Sequence, residues 1–200
     1  MKYTIRAKTE HRIKIQRSEF IGFLFPVQSM DEVQEILKEH QQTYADATHN
    51  CYAYILGYKG ETSYYSDAGE PSGTAGKPIL NVLLRNELSG VLAIVTRYYG
   101  GIKLGVKGLI DAYTQSTAET LEKARLCQYQ ELFSYEVQTE YPLLESLRHR
   151  FQGLKIKETD AEYSEQVVLK LSVPDSAREE LEEILNSYTA QNRLSYSMEK

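Results

Sequence analysis

The stretch Thr96 to Tyr113, TRYYGGIKLGVKGLIDAY, follows directly on the apolar run Val91-Leu92-Ala93-Ile94-Val95, and the two together decide the fold. An uninterrupted apolar run of strand length suits a central strand covered on both faces. Beyond it, Val106, Leu109, Ile110, Tyr113, Thr117, Leu121 and Ala124 recur at steps of three and four, which predicts a helix with one buried stripe. Between strand and helix stand Gly100, Gly101, Gly105 and Gly108, interleaved with Arg97, Lys103 and Lys107. Such a loop tolerates positive φ and admits a ligand close to the backbone. It also ends on the free N–H groups and positive dipole end of a helix, the makings of an anion site. Neither standard phosphate motif is present: GxGxxG is absent and no GK(S/T) closes the loop. A tight turn that needs glycine only to pack fits the same residues.

Upstream, alternating Ile13, Ile15, Phe20, Phe23 and Phe25 predict two strands joined near Arg17-Ser18. Ser29 and Glu32 have capping-box spacing ahead of a helix over about residues 30–43. His49 to Gly57 reads as a strand with His49, Cys51, Ala53 and Ile55 on one face and Tyr52, Tyr54 and Leu56 on the other. Another strand follows at Thr62 to Ser66. Then comes a second polar loop, DAGEPSGTAGKP at 67–78, which runs into a helical pattern of Ile79, Val82 and Leu83 with Pro78 in its first turn. Its Ser72, Gly73, Thr74 and Lys77 extend the prospective anion surface. Asp67 and Glu70 can hold a cation, act as acid and base, or cap the loop, and capping is the ordinary use of such residues. His49 is a candidate base or a structural histidine.

With 42% apolar and 26% charged residues, the 200-residue chain has the composition of an ordinary globular protein of one large or two small domains. MKYTIRAKTEHRIK lacks the apolar stretch of a signal peptide, and no run reaches the roughly 18 apolar residues that span a bilayer, so a cytoplasmic address without a membrane is expected. Two distant cysteines, Cys51 and Cys127, indicate neither a disulfide framework nor a zinc site, and no metal or cofactor is called for. Residues 1–126 carry 15 Lys and Arg against 14 Asp and Glu, whereas residues 127–200 carry 8 against 14. The net charge of −5 argues against sequence-blind coating of nucleic acid and leaves the basic loop as the electrostatic handle.

After Arg125 the pattern changes. Phe133 to Thr139 alternates as a half-buried strand, Pro142 opens a helix stopped by Gly153, and strands follow at about 154–161 and 166–173. Ser176 and Glu179 have capping-box spacing before a last helix, and Leu194, Tyr196 and Met198 close with a strand. The order βαββαβ is that of a ferredoxin-like domain. We expect an α/β (α+β) protein with domains at 1–126 and 127–200, the second a packing or docking module whose acidic surface could meet a protein partner.

DAGEPSGTAGKP at 67–78 and VTRYYGGIKLGVKGLIDAY at 95–113 resemble the two signature segments of the IMPACT/YigZ family, and His49 to Tyr54 resembles the strand that precedes the first. The βαββαβ tail is similar to the second domain of the family's bacterial members. One departure stands out: the family commonly shows two adjacent carboxylates before the glycine of the first signature, and here Ala68 follows Asp67. The resemblance implies a first domain like the second domain of the small-subunit ribosomal protein five and a tail like domains of elongation factor G. It also implies a setting in translation, since the eukaryotic relatives regulate translation under amino-acid starvation through protein partners.

Three functions follow as expectations. The first is a translation-associated regulator that touches RNA phosphate or a ribosomal surface through Arg97, Lys103 and Lys107. The second is an enzyme acting on a phosphorylated small molecule, with His49, Asp67 or Glu70 moving protons. The third is a pure protein-interaction module.

Overall fold

The computed structural model describes residues 2–58 and 60–199. The chain divides into two compact units between Tyr129 and Gln130.

The first unit is built on a five-stranded antiparallel sheet in the order β2-β3-β6-β4-β5. Its strands are β2 (Thr9–Ile15), β3 (Ser18–Pro26), β4 (His49–Leu56), β5 (Thr62–Ser66) and β6 (Val91–Tyr98). The apolar run Val91–Val95 sits in the middle strand, with every residue of it buried, as its composition predicts. The β2–β3 hairpin turns on Gln16 and Arg17, both at positive φ (43° and 67°), the sense of turn that matches strand twist.

Helix α1 (Met30–Thr43) covers one face of this sheet, and Val33 packs in one cluster with Ile21, Phe23, Leu92 and Ile94. Ser29 caps it by accepting from the Glu32 N–H, while the Glu32 carboxylate reaches back to the N–H of Gln28. Helices α2 (Gly76–Arg85) and α3 (Gly105–Lys123) cover the other face, where Ile79, Leu83, Leu109, Ala112 and Tyr113 pack with Phe20, Cys51, Ala53, Ala93 and Val95. A Cβ on Gly22 would stand 2.1 Å from the Thr120 hydroxyl, so glycine is what lets α3 lie this close to β3.

Two features depart from the expectation. Leu109, Tyr113, Thr117 and Leu121 of α3 are buried, but Val106 (62% exposed) and Ile110 (37%) are not. A short ladder joins β1 (Tyr3–Ile5) to β7 (Leu126–Gln128), a long-range pairing with no periodicity to announce it. The unit division therefore falls three residues beyond 126, after β7.

The second unit runs β8 (Leu132–Thr139), α4 (Tyr141–Phe151), β9 (Lys157–Tyr163), β10 (Val167–Pro174), α5 (Asp175–Thr189) and β11 (Leu194–Glu199). Its antiparallel sheet has the order β11-β8-β10-β9, the ferredoxin-like arrangement. The inward residues Tyr135, Val137, Leu169, Leu171 and Val173 pack with Leu143, Leu147, Leu181 and Leu185 of the two helices. The capping box at Ser176 does not form: Pro174 is the N-cap of α5, without a side-chain bond, so Ser176 lies inside the first turn. In the acidic stretch Glu179, Glu180 and Glu183 are exposed, whereas Glu182 holds the Tyr135 hydroxyl and Arg178.

Candidate functional site

β5 and β6 both run antiparallel to β4, so the two signature loops leave the first sheet at the same end. Asp67, just past β5, turns its carboxylate into the second polar loop: Oδ2 accepts from the N–H of Gly73 at 2.8 Å, and Oδ1 from those of Ala75 at 3.0 Å and Gly76 at 2.8 Å. The start of α2 is thus already occupied by an anion of the chain's own. Thr74 is buried and donates its hydroxyl to the Pro71 carbonyl, while Ser72 and Lys77 are exposed. Gly76 is required sterically, since a Cβ there would come within 2.7 Å of the Ser66 backbone.

Arg97 is not on the surface. It continues the face of β6 that carries Val91, Ala93 and Val95 and is 5% exposed, with its guanidinium 2.6 Å from Glu70 Oε1. Its Nε, also buried, has no hydrogen-bond partner among the described residues, and a second nitrogen donates weakly to the Ser18 hydroxyl at 3.4 Å. Glu70 is nine-tenths buried, and its Oε1 also accepts from the Tyr113 hydroxyl at 2.8 Å. Its other oxygen, Oε2, stands 3.9 Å from His49 Nε2 and makes no hydrogen bond among the described residues.

His49 is oriented by the carbonyl of Ala68, 2.9 Å from Nδ1. A carbonyl can only accept, so the ring proton sits on Nδ1 and the neutral ring keeps Nε2 as a bare acceptor. Ala68 itself holds φ at +43°, an uncommon conformation for alanine. Cys51 is inert: buried, donating to the Asp67 carbonyl, and pushed up to about 12 by burial. Burial likewise drives the Tyr113 hydroxyl far above the ordinary range of tyrosine, so it is a fixed donor to Glu70.

The glycines of the first loop divide by role. Gly100 packs against the β2–β3 turn, where a Cβ would meet the Arg17 carbonyl oxygen at 2.0 Å. Gly101 and Gly105 hold φ at +87° and +70° in open space, and Gly108 lies in the first turn of α3. Lys103 and Lys107 are exposed. The N-cap of α3 is Leu104, which offers no acceptor, and the first turn holds no acidic residue; α2 shares both features, but there the Asp67 carboxylate fills the helix start.

Where these parts meet there is a cleft of about 470 Å³, bordered by Thr48, His49, Glu70, Pro71, Arg97, Tyr99, Lys103 and the start of α3. Of the residues singled out in the sequence, it gathers His49, Glu70, Arg97, Lys103 and Gly105. Asp67, Ser72, Gly73, Thr74, Lys77, Gly100, Gly101, Lys107 and Gly108 do not border it. Sequence reading missed Tyr99, Leu104 and Tyr113 as parts of the site. The alternation of β6 did carry one signal, since Arg97 falls in phase with three buried residues. Among the described residues, no group of three or more His, Cys, Asp or Glu is placed to hold a metal ion.

Residues 16–121 match the Impact N-terminal domain family, and residues 137–192 match a domain of unknown function, DUF1949. IMPACT family member YvyE of Bacillus subtilis is 34% identical over 187 residues, covering 94% of this chain and 86% of its own. IMPACT family member YigZ of Escherichia coli is 31% identical over 163 residues, covering 80% of each. A crystal structure described as that of a hypothetical protein superposes with a TM-score of 0.72 at 27% identity, covering 98% of this chain and 95% of that one.

Proposed function

Because the chain belongs to the IMPACT family, we propose that it is a translation-associated regulatory protein that meets an RNA or ribosomal partner through the phosphates bound at the start of α3. The translation setting rests on the family and its eukaryotic regulators. The phosphate contact rests on one observation: α3 begins without a capping side chain or an acid in its first turn, beside exposed Lys103 and Lys107. Those N–H groups and the helix dipole favour an anion, and two nearby ammonium groups strengthen the preference. Arg97 takes no direct part, because Glu70 neutralises it, and the loop Ser72–Lys77 contributes little while Asp67 fills it.

The test is a salt titration of binding to a short single-stranded RNA oligomer. Lys103→Ala with Lys107→Ala weakens binding and flattens the dependence of log K on log salt by about 0.7 for each phosphate that is no longer neutralised. Equal affinity of wild type and double variant across the titration would refute the reading.

A further inference from the structure

We propose that the cleft receives the base of one unstacked nucleotide whose phosphate rests on the start of α3, and that it selects bases carrying an exocyclic amino group. The inference rests on the phosphate-binding reading above and extends it to a ligand for the cleft itself. At about 470 Å³ the cavity lies within the roughly 300–1,000 Å³ of small-molecule sites. Its walls are largely carbon, from Pro71, Leu104, Val106 and Leu109. A surface that merely tracked phosphates would have no use for such walls. Tyr99 borders the cleft with 43% of its surface exposed; the Arg97 guanidinium lies over its ring, 5.4 Å from the centroid, and the opposite face is the one an unstacked base would stack on.

The floor supplies the selectivity. Glu70 uses Oε1 for Arg97 and Tyr113, leaving Oε2 without a donor among the described residues in a nine-tenths buried side chain. His49 Nε2, 3.9 Å away, is a second acceptor because the Ala68 carbonyl holds the ring proton on Nδ1. Two adjacent acceptors without a hydrogen between them repel a phosphate or a carbonyl and call for N–H. The amino groups of adenine and cytosine supply two hydrogens from one nitrogen. Uracil offers a single N–H flanked by carbonyl oxygens that would face these acceptors. Lys103 and Gly105 also border the cleft, and there the α3 dipole favours the phosphate. Base and phosphate are thereby assigned to different lining groups.

Calorimetry on the full chain tests this with AMP, CMP and UMP as probes. AMP and CMP bind at least tenfold more tightly than UMP, and Tyr99→Ala weakens AMP about tenfold while its circular dichroism stays that of the wild type. Equal binding of AMP and UMP, or no binding of AMP, overturns the proposal. Oligo(A) and oligo(U) separate this idea from the one beneath it. If both oligomers bind equally, depend on Lys103 and Lys107 and ignore Tyr99→Ala, the base site is wrong and the phosphate contact stands. If AMP binds selectively and neither oligomer binds, the nucleotide cleft stands and RNA as partner is wrong.

Discussion

Glu70 and Arg97 meet at 2.6 Å in the interior of the first unit, though 27 positions separate them in the chain. The pair ties the first signature loop to the end of the central strand, and Tyr113 brings α3 into the same contact. Removing one partner strands the other charge in a site with little water. Arg97→Met should therefore cost about 3–5 kcal/mol in urea unfolding, and Arg97→Met with Glu70→Leu should recover much of that loss. A single variant within 1 kcal/mol of wild type would show that the pair is not uncompensated when broken.

Asp67 acts on the backbone rather than on a substrate. Its carboxylate accepts three N–H groups, so Asp67→Ala should lower stability by about 2–3 kcal/mol. The same substitution empties an anion position at the start of α2. Inorganic phosphate should accordingly raise the Tm of the variant more than that of the wild type, and an identical phosphate response in both would count against the capping role.

Gly100 and Gly101 adjoin in sequence and differ in what they tolerate. An added Cβ at Gly101 meets nothing within 4 Å, so Gly101→Ala bears only the left-handed backbone strain, about 1–2 kcal/mol. At Gly100 the same atom would collide with the backbone of Arg17 and Ser18, and Gly100→Ala should cost about 3 kcal/mol or more. Thermal melts of the two proteins decide it, and the reverse ranking would contradict the packing described.

His40 gives acid unfolding a component of its own. Thr96 donates its hydroxyl to Asn50, so the 2.7 Å contact with His40 has the ring Nε2–H donating to Thr96. Burial first, then the Lys8 ammonium, hold the ring down to about 4 from the usual 6.5. The unfolded chain takes up this proton before the folded one does. Stability is therefore intact above pH 6.5 and drains as pH falls towards 4, by up to about 3 kcal/mol. His40→Gln keeps an N–H donor without the titration, and its stability should fall less over that range. Parallel pH curves for the two proteins would dismiss the assignment.

We propose that the two units fold independently, since each has its own buried cluster. Fragments 1–129 and 130–200 should each melt cooperatively, and 1–126, which lacks most of β7, should melt below 1–129. Failure of either longer fragment to fold would refute independence.

The sequence carried the elements whose signal is local. An apolar run placed β6, the Ser29–Glu32 spacing placed α1, and strand alternation laid out the second unit. It misplaced what depends on distant partners. Val106 and Ile110 keep helical phase with the core, yet they stand exposed in the first two turns of α3. Arg97 reads as a loop cation because its neutralising carboxylate lies 27 positions away. The second loop reads as open to an anion because nothing in its composition says that Asp67 folds back upon it. The cleft itself was invisible, assembled from β4, β6, the start of α3 and a loop that no spacing rule connects.

The ladder between β1 and β7 has a consequence for how the first unit can be wired. Tyr3 faces Gln128 and Ile5 faces Leu126, and Tyr3 is also bound through backbone hydrogen bonds to residues 87 and 89. The chain thus comes into the unit and leaves it a strand's width apart, about 4.8 Å. A circular permutant that bridges residue 128 to residue 3 with a short linker would reroute the chain without displacing any strand of the five-stranded sheet. The unit is in effect a closed loop of structure, which another protein could carry as an insertion on a single point of attachment.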